Sequence, residues 1–300
     1  MIFLHDIRYV RLATRNLQEA ERFATEIVGL QVVRRGSGSV YLKSDDRDHT
    51  LCYIEGDPVR QVVGFELEDP AQMSSVGDEL ANAGYAVTCG SKEECEQRAV
   101  REFIAFEDPS GNLIEVVARP FHSGTRYHAS RDAGILGFNH IGLRTLDPSR
   151  DEMFWTNVFN ARVSDWVGDA ALLRLGTVHH SVAMFPSARP GVQHINHQVE
   201  SVDDVMKSHY FLKEKGVHVE FGPGRHPSSG AMFLYFRGPD GITFEYSVGV
   251  GHITPEQEPR HRPRQFPWEP WSICYWGAKP DIPEFNTGPS AAQSSQETPK

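Results

Sequence analysis

Two histidines and a glutamate, His140, His194 and Glu245, are the residues of this chain whose types could hold a metal ion. His140 lies in FNHIGL, where strand alternation puts it on the same face as Gly142 and opposite Ile141 and Leu143. His194 opens HINHQVE, and the same alternation turns His197 to the other face, so those two cannot share one centre. Glu245 interrupts the apolar run TFEYS. A carboxylate there needs a partner or a metal, because burying it alone is costly. Two imidazoles and one carboxylate make a hard, monoanionic donor set with three positions left open. That set suits non-haem iron(II), with manganese(II) as the alternative; zinc is less compelling without a fourth protein ligand.

The three residues span about a hundred positions, so a fold has to bring them together. An internal echo indicates which. DIRYVRLAT at 6–14 returns as GFNHIGLRT at 137–145, and DPSGNLIEV at 108–116 returns as GPDGITFEY at 238–246. Tyr9 falls on His140 and Glu115 on Glu245 at nearly one offset, the mark of a duplicated domain. Each half divides again into a strand, a helix and further strands. Strands are predicted at 6–12, 138–144 and 192–199, and helices at 16–28, 71–84, 149–159 and 201–215, with Gly29, Gly84 and Gly216 as stops. Asp-Pro-Ser-Gly and Gly-Pro-Asp-Gly are turns feeding a last strand. The expected domains are 1–120 without metal, a connector at 121–136, a metal-binding unit at 137–250 and a tail at 251–300. That tail is rich in Pro and Trp. Its aromatics, Trp268, Trp271, Tyr275 and Trp276, are expected to wrap over the body or fill an interface. The stretch from about 284 onward reads as disordered.

Composition narrows the partners. Forty acidic against thirty basic residues give a formal charge of -10, and no basic stripe offers a nucleic-acid footprint. No apolar run reaches membrane-spanning length. Cys52, Cys89, Cys95 and Cys274 have no zinc-knuckle or redox spacing, which fits a reduced, cytoplasmic protein.

Over about residues 3–250 the chain resembles the type I extradiol ring-cleavage dioxygenases of the vicinal oxygen chelate superfamily. The carrying motifs are FNHIGL, QHINHQVE, TVHHSVAMF and GRHPSSGAMFLYFRGPDGITFEYSVG. The resemblance implies an α+β fold of four paired beta-alpha-beta-beta-beta modules forming two curled mixed-sheet barrels, with iron in the second. It implies His140, His194 and Glu245 as metal ligands, with Fe(II) or alternatively Mn(II), and dioxygen as co-substrate. It also implies catalytic roles for His180 as acid–base, and for His226 and Tyr235 as hydrogen-bond partners of a catechol-type diol. A homo-oligomer is expected. In the first half Tyr9 replaces the ligand histidine and Glu115 has no co-ligands, so a structural role is expected there. The competing readings are a glyoxalase-like metal-dependent isomerase or transferase, and a non-catalytic protein that binds aromatic ligands.

Overall fold

The computed structural model describes residues 1–286. Four modules follow one another. The first contains β1 (Leu4–Thr14), α1 (Leu17–Arg22), β2 (Gln31–Gly36), β3 (Ser39–Lys43) and β4 (Leu51–Glu55). The second contains β5 (Gln61–Leu67), α2 (Met73–Asn82), β6 (Val87–Cys89), α3 (Lys92–Arg98), β7 (Glu102–Glu107) and β8 (Leu113–Ala118). The third runs through β9 (Ile135–Thr145), α4 (Pro148–Asn157), β10 (Arg162–Val167), β11 (Ala170–Arg174) and β12 (Val182–Pro186). The fourth runs through β13 (Gly191–Val199), α5 (Val202–Glu214), β14 (Val219–Arg225), β15 (Met232–Arg237) and β16 (Thr243–Val248). The tail adds β17 (Arg264–Phe266), α6 (Pro270–Ile273) and α7 (Pro283–Asn286).

Modules join in pairs, as the α+β expectation required. The first sheet has the order β2-β3-β4-β1-β5-β8-β7-β6 and the second β14-β15-β16-β13-β9-β12-β11-β10-β17. Within each, the leading strands of the two modules pair antiparallel at the centre, β1 with β5 and β9 with β13. Each leading strand also pairs parallel with the last strand of its own module, as β13 does with β16. Residues of the leading and last strands therefore meet at the middle of the sheet, where His140, His194 and Glu245 lie. The main core unites both halves: Trp155 of α4 packs on Phe65 of β5 with ring centroids 5.1 Å apart. Separate clusters fill the inner face of each sheet, around Tyr9 and Phe103 in the first and around Phe221, Phe233 and Tyr235 in the second.

Local sequence explains most boundaries. Ser201 caps α5 in a reciprocal box with Asp204, and Asp147 caps α4 with Pro148 at its first turn. The predicted helix at 16–28 is α-helical only to Arg22 and continues as a π-helix through Phe23–Val28, ending at Gly29 with φ 94°. Helix α3 was not expected, although Ser91 and Glu94 spell its capping box. His179 and His180 lie in the loop that precedes β12. The tail does wrap over the second sheet, with β17 parallel to β10 and Ile273 and Phe285 in the inner cluster. Trp268 packs against the inner cluster, whereas Trp271, Tyr275 and Trp276 remain more than half exposed, at 53%, 63% and 53%. Order continues through Asn286, past the expected start of disorder near 284; residues 287–300 lie outside the described region.

His197 lies on the core side of β13, 1% exposed, between Phe138 and Phe244, and neither ring nitrogen has a hydrogen-bond partner. Burial, aided by Arg47 and His140, lowers its pKa to about 3. The neutral ring is therefore what folding selects. The unfolded chain takes up this proton as pH falls through about 6.5, so stability is full above that value and drains away toward pH 3. His197→Leu is expected to remove this part of the acid sensitivity, about 2–3 kcal/mol at pH 4.5. Thermal denaturation from pH 7.5 to 4.5 checks it: the variant's melting temperature falls less steeply than the wild type's.

Candidate metal centre

Strand register assembles the three donors. On β13, Asn196 pairs with both His140 of β9 and Glu245 of β16, and His194 sits two residues along the same face. Room for the His194 ring comes from Gly142, directly opposite; a Cβ there would stand 2.4 Å from His194 Nδ1. His140 is 3% exposed, and His194 and Glu245 are each 1% exposed.

Each imidazole is aimed from behind. His140 Nδ1 is 3.0 Å from Asn139 Oδ1, and His194 Nδ1 bonds Gln193 Oε1. An amide oxygen only accepts, so both rings carry their proton on Nδ1 and turn a bare Nε2 inward. The two Nε2 atoms are 3.1 Å apart, and Glu245 Oε2 is 3.0 Å from one and 3.4 Å from the other. None of these approaches gives Glu245 Oε2 an aligned hydrogen bond; it is a buried oxygen without a donor. Burial raises the carboxyl's pKa, but the neighbouring imidazoles of His140, His226 and His194 outweigh it, holding Glu245 well below its ordinary range. Burial lowers His194 to about 3, against the opposing pull of Glu245. An ionised carboxylate and unprotonated nitrogens thus crowd one point.

Those separations fit a metal. Cis ligands at bonds of about 2.1 Å stand about 3 Å from one another, which is the edge length seen here. The three residues are also the group of His, Cys, Asp and Glu that qualifies as a metal cluster among the described residues. His140, His194 and Glu245 would hold a divalent cation, and the donor chemistry suits iron(II) or manganese(II).

The other sequence-predicted residues surround this triangle. His180 stacks near His140, centroids 4.2 Å apart, and its Nδ1 is 3.1 Å from His179 Nδ1. His179 Nε2 is 2.9 Å from Asp165 Oδ2, and Asp165 also holds Arg264 at 2.6 Å. The Asp165 carboxylate accepts, so His179 donates from Nε2, His180 donates from Nδ1, and His180 Nε2 is left bare. Burial lowers both histidines, His180 well below its ordinary value with help from His140 and His179. His226 donates from Nδ1 to the Ile273 carbonyl at 2.8 Å, and its Nε2 accepts from the Tyr235 hydroxyl at 3.1 Å. Burial raises Tyr235 well above its ordinary value, with Glu245 adding to it. No role was assigned to His179 or Asp165 from the sequence. A carboxylate in the apolar strand Val163–Val167 was the available signal, the same one that exposed Glu245.

His180, His194, His226 and Tyr235 share a cavity walled by Val167, Leu172, Ala183 and Phe185, with Trp268, Ile273 and Phe285 of the tail closing it. Its volume is about 40 Å³.

The first half has solved the same position differently. Tyr9 donates to Glu115 at 2.6 Å, and Arg98 of α3 grips both oxygens of Glu115 at 2.6–2.9 Å. A Cβ on Gly64, opposite Tyr9, would meet that ring at 2.5 Å. The phenol fills the space and the guanidinium supplies the positive charge.

Comparison with known proteins agrees with this duplicated plan. The Glyoxalase/Bleomycin resistance protein/Dioxygenase superfamily matches residues 6–116 and 137–246. The chain belongs to that superfamily. It is 27% identical over 279 residues to a 1,2-dihydroxynaphthalene dioxygenase of Sphingobium xenophagum, covering 86% of this chain and 93% of the relative. It is 28% identical over 270 residues to an iron-dependent extradiol dioxygenase of Rhodococcus jostii, covering 81% and 88%. Among solved structures it superposes on a halotolerant catechol dioxygenase with TM-score 0.84, at 24% identity over 94% of this chain and 97% of that one. It also superposes on a Mn(II)-bound glyoxalase from Novosphingobium aromaticivorans with TM-score 0.82, at 23% identity over 100% and 96%. At those identities the likeness is one of fold.

One centre per chain is the expectation that follows. Calorimetric titration of metal-free protein with Mn(II) is expected to give a stoichiometry of one. Gln193→Leu, which frees the His194 ring, should weaken binding about 10–100-fold, and Glu245→Gln should weaken it further. A stoichiometry of two, or an unaltered Glu245→Gln, would contradict the assignment.

Proposed function

We propose that this chain is an iron(II)-dependent extradiol dioxygenase that opens the ring of a catechol-type diol with dioxygen, giving a semialdehyde or keto acid. The observation that carries the reading is a set of six polar residues on one side of an apolar slot. His140, His194 and Glu245 form the donor triangle, and His180 and the His226–Tyr235 pair flank it from different elements. The dioxygenase names of relatives matched over most of both chains support the same reading. Iron(II), once held there, supplies an acidified diol and an electron path to dioxygen.

The chain's own residues do the rest. The Asp165–His179–His180 chain presents His180 Nε2 as a base, neutral in the folded protein, that can take a hydroxyl proton and later return it. Tyr235 has one hydroxyl proton, now given to His226, that can turn to a diolate oxygen. His226 is itself held by the Ile273 carbonyl, so the tail sets its ring. Val167, Leu172, Ala183 and Phe185 give the ring an apolar wall and keep water from the reacting atoms. A cavity of about 40 Å³ is smaller than an aromatic ring, so substrate entry requires some of its lining side chains to shift.

An isomerase or transferase would be expected to add a fourth carboxylate or amide to the centre. The nearest amide, Gln193, instead bonds the outer nitrogen of His194. A purely ligand-binding protein has no use for the oriented His179–His180 pair. Exposed Trp271, Tyr275 and Trp276 support a homo-oligomer, and the four unpaired cysteines fit residence in the cytoplasm. No helix among the described residues is long and apolar enough to cross a membrane.

Oxygen uptake by anaerobically iron-loaded protein tests the activity, with catechol, 2,3-dihydroxybiphenyl and 1,2-dihydroxynaphthalene as substrates. Consumption of one dioxygen per diol with a coloured ring-opened product is expected, and none with any vicinal diol at full iron occupancy would sink the proposal. His180→Gln should lower kcat about 10²–10⁴-fold with iron content intact. Phe285→Ala should move the preference toward the larger diols, read as a change in relative kcat/KM.

A further inference from the structure

The inner face of the first sheet holds a cation that nothing among the described residues neutralises. Alternation along β1 places Tyr9, Arg11 and Ala13 on that face. Three guanidinium groups lie there or beside it. Arg98 is matched by Glu115, and Arg34 is matched by Asp48 and covers the Tyr41 ring at 3.8 Å. Arg11 has neither kind of partner. It is 5% exposed, its Nη1 is fully buried without a hydrogen bond, and among the described residues it forms no ion pair. Neighbouring Tyr9 is committed to Glu115, and His49 to Asp48.

A guanidinium does not escape burial by giving up its proton, as a lysine can, so the charge persists. Leaving it unpaired is costly, and a fold that keeps it has a use for an anion beside it. There is space for one. A cavity of about 420 Å³ lies against Arg11, with Ala13, Ile54 and Val62 as apolar wall. Glu55, Asp57 and Arg60 are its exposed residues on one side, and Glu94, Gln97 and the Glu115-paired Arg98 line it on the other. Acidic groups at the mouth disfavour a dianion such as phosphate, whereas apolar walls reward a hydrocarbon body. The position is in the half without the metal triangle, and the reaction proposed above makes no use of it.

We propose that this cavity binds a small organic monocarboxylate, its two oxygens on the Arg11 guanidinium and its hydrocarbon part against Ala13, Ile54 and Val62. A planar fork meeting a carboxylate is the geometry in which arginine binds best.

Benzoate is a suitable probe, titrated calorimetrically into the metal-loaded full chain at constant ionic strength, with inorganic phosphate as the competing arm. Because benzoate could also reach the metal, wild type is compared with Arg11→Met and with Glu245→Gln. The expected result is saturable binding to wild type and Glu245→Gln, weakened at least tenfold in Arg11→Met, with phosphate unable to compete. Ligand-free Arg11→Met is expected to melt at or above the wild-type temperature, since it loses an uncompensated charge; a merely structural arginine would lower it. Arg11→Gln gives the same comparison if the methionine variant does not fold. No benzoate binding to wild type, equal binding to Arg11→Met, loss in Glu245→Gln, or displacement by phosphate would each overturn the proposal. None of these outcomes bears on oxygen uptake in the second half.

Discussion

A buried carboxylate facing two imidazole lone pairs is the constraint around which the second half is built. Glu245 Oε2 lies 3.0 Å and 3.4 Å from two ring nitrogens that have no proton to offer it, because each ring has placed its proton on the far side. In a dry sheet interior that arrangement is repulsive, and no described side chain gives Oε2 a hydrogen bond. A divalent cation relieves it. The amides of Asn139 and Gln193 therefore do more than satisfy a hydrogen bond. By fixing tautomers they make the site poor at holding protons and good at holding metal.

The first half shows what becomes of the same sheet when that demand is dropped. Glu115 keeps the position of Glu245, but its charge is answered by a tethered cation, Arg98, and by the hydroxyl of Tyr9. His49 corresponds to His180 in the duplicated order, yet it leans on Asp48 and stacks against Tyr9. Val62 stands where the register would place His194, since it pairs with β8 as His194 pairs with β16. The carboxylate is kept and neutralised, Tyr9 and Val62 take the two histidine positions, and the uncompensated charge falls at Arg11, which corresponds to Gly142. A glycine makes room for a ligand in one half; an arginine fills that room with unbalanced charge in the other.

What could be read from the sequence follows from this. Duplication was legible because turn-plus-strand motifs recur at a fixed offset, and strand alternation alone was enough to separate His194 from His197. Glu245 declared itself by being a charge in an apolar strand. Asp165 gave the same signal in β10 and went unread, because no partner for it was in view: Arg264 is 99 residues away and arrives on the tail. The β6–α3 segment went unread because its helix carries Lys, Glu and Gln on nearly every face, burying only Cys95. The tail's aromatics were judged by hydrophobicity as a group, although geometry separates them. Trp268 lies over Gly168, where a Cβ would meet its ring at 2.8 Å, whereas Trp271, Tyr275 and Trp276 point outward.

The half without the donor triangle is tied to the other at the start of β13. Gly191 and Val192 enter the sheet three and two residues before His194, and their amide protons need acceptors. Asn112 Oδ1 takes the first at 2.6 Å and Gln61 Oε1 takes the second at 2.7 Å, both from the first half. Asn112 also donates to the Arg144 carbonyl on β9, the strand that carries His140. Arg144 in turn grips Glu284 of α7, whose neighbour Phe285 closes the substrate cavity. Two amide side chains of the first half thus fix the strand of one ligand, touch the strand of another and, through Arg144, reach the wall over the site. Losing either would leave a backbone N–H unsatisfied beside the metal ligands, at a cost of about 1–3 kcal/mol each. The first half has shed its own donors while remaining the surface against which the second half's donors are set.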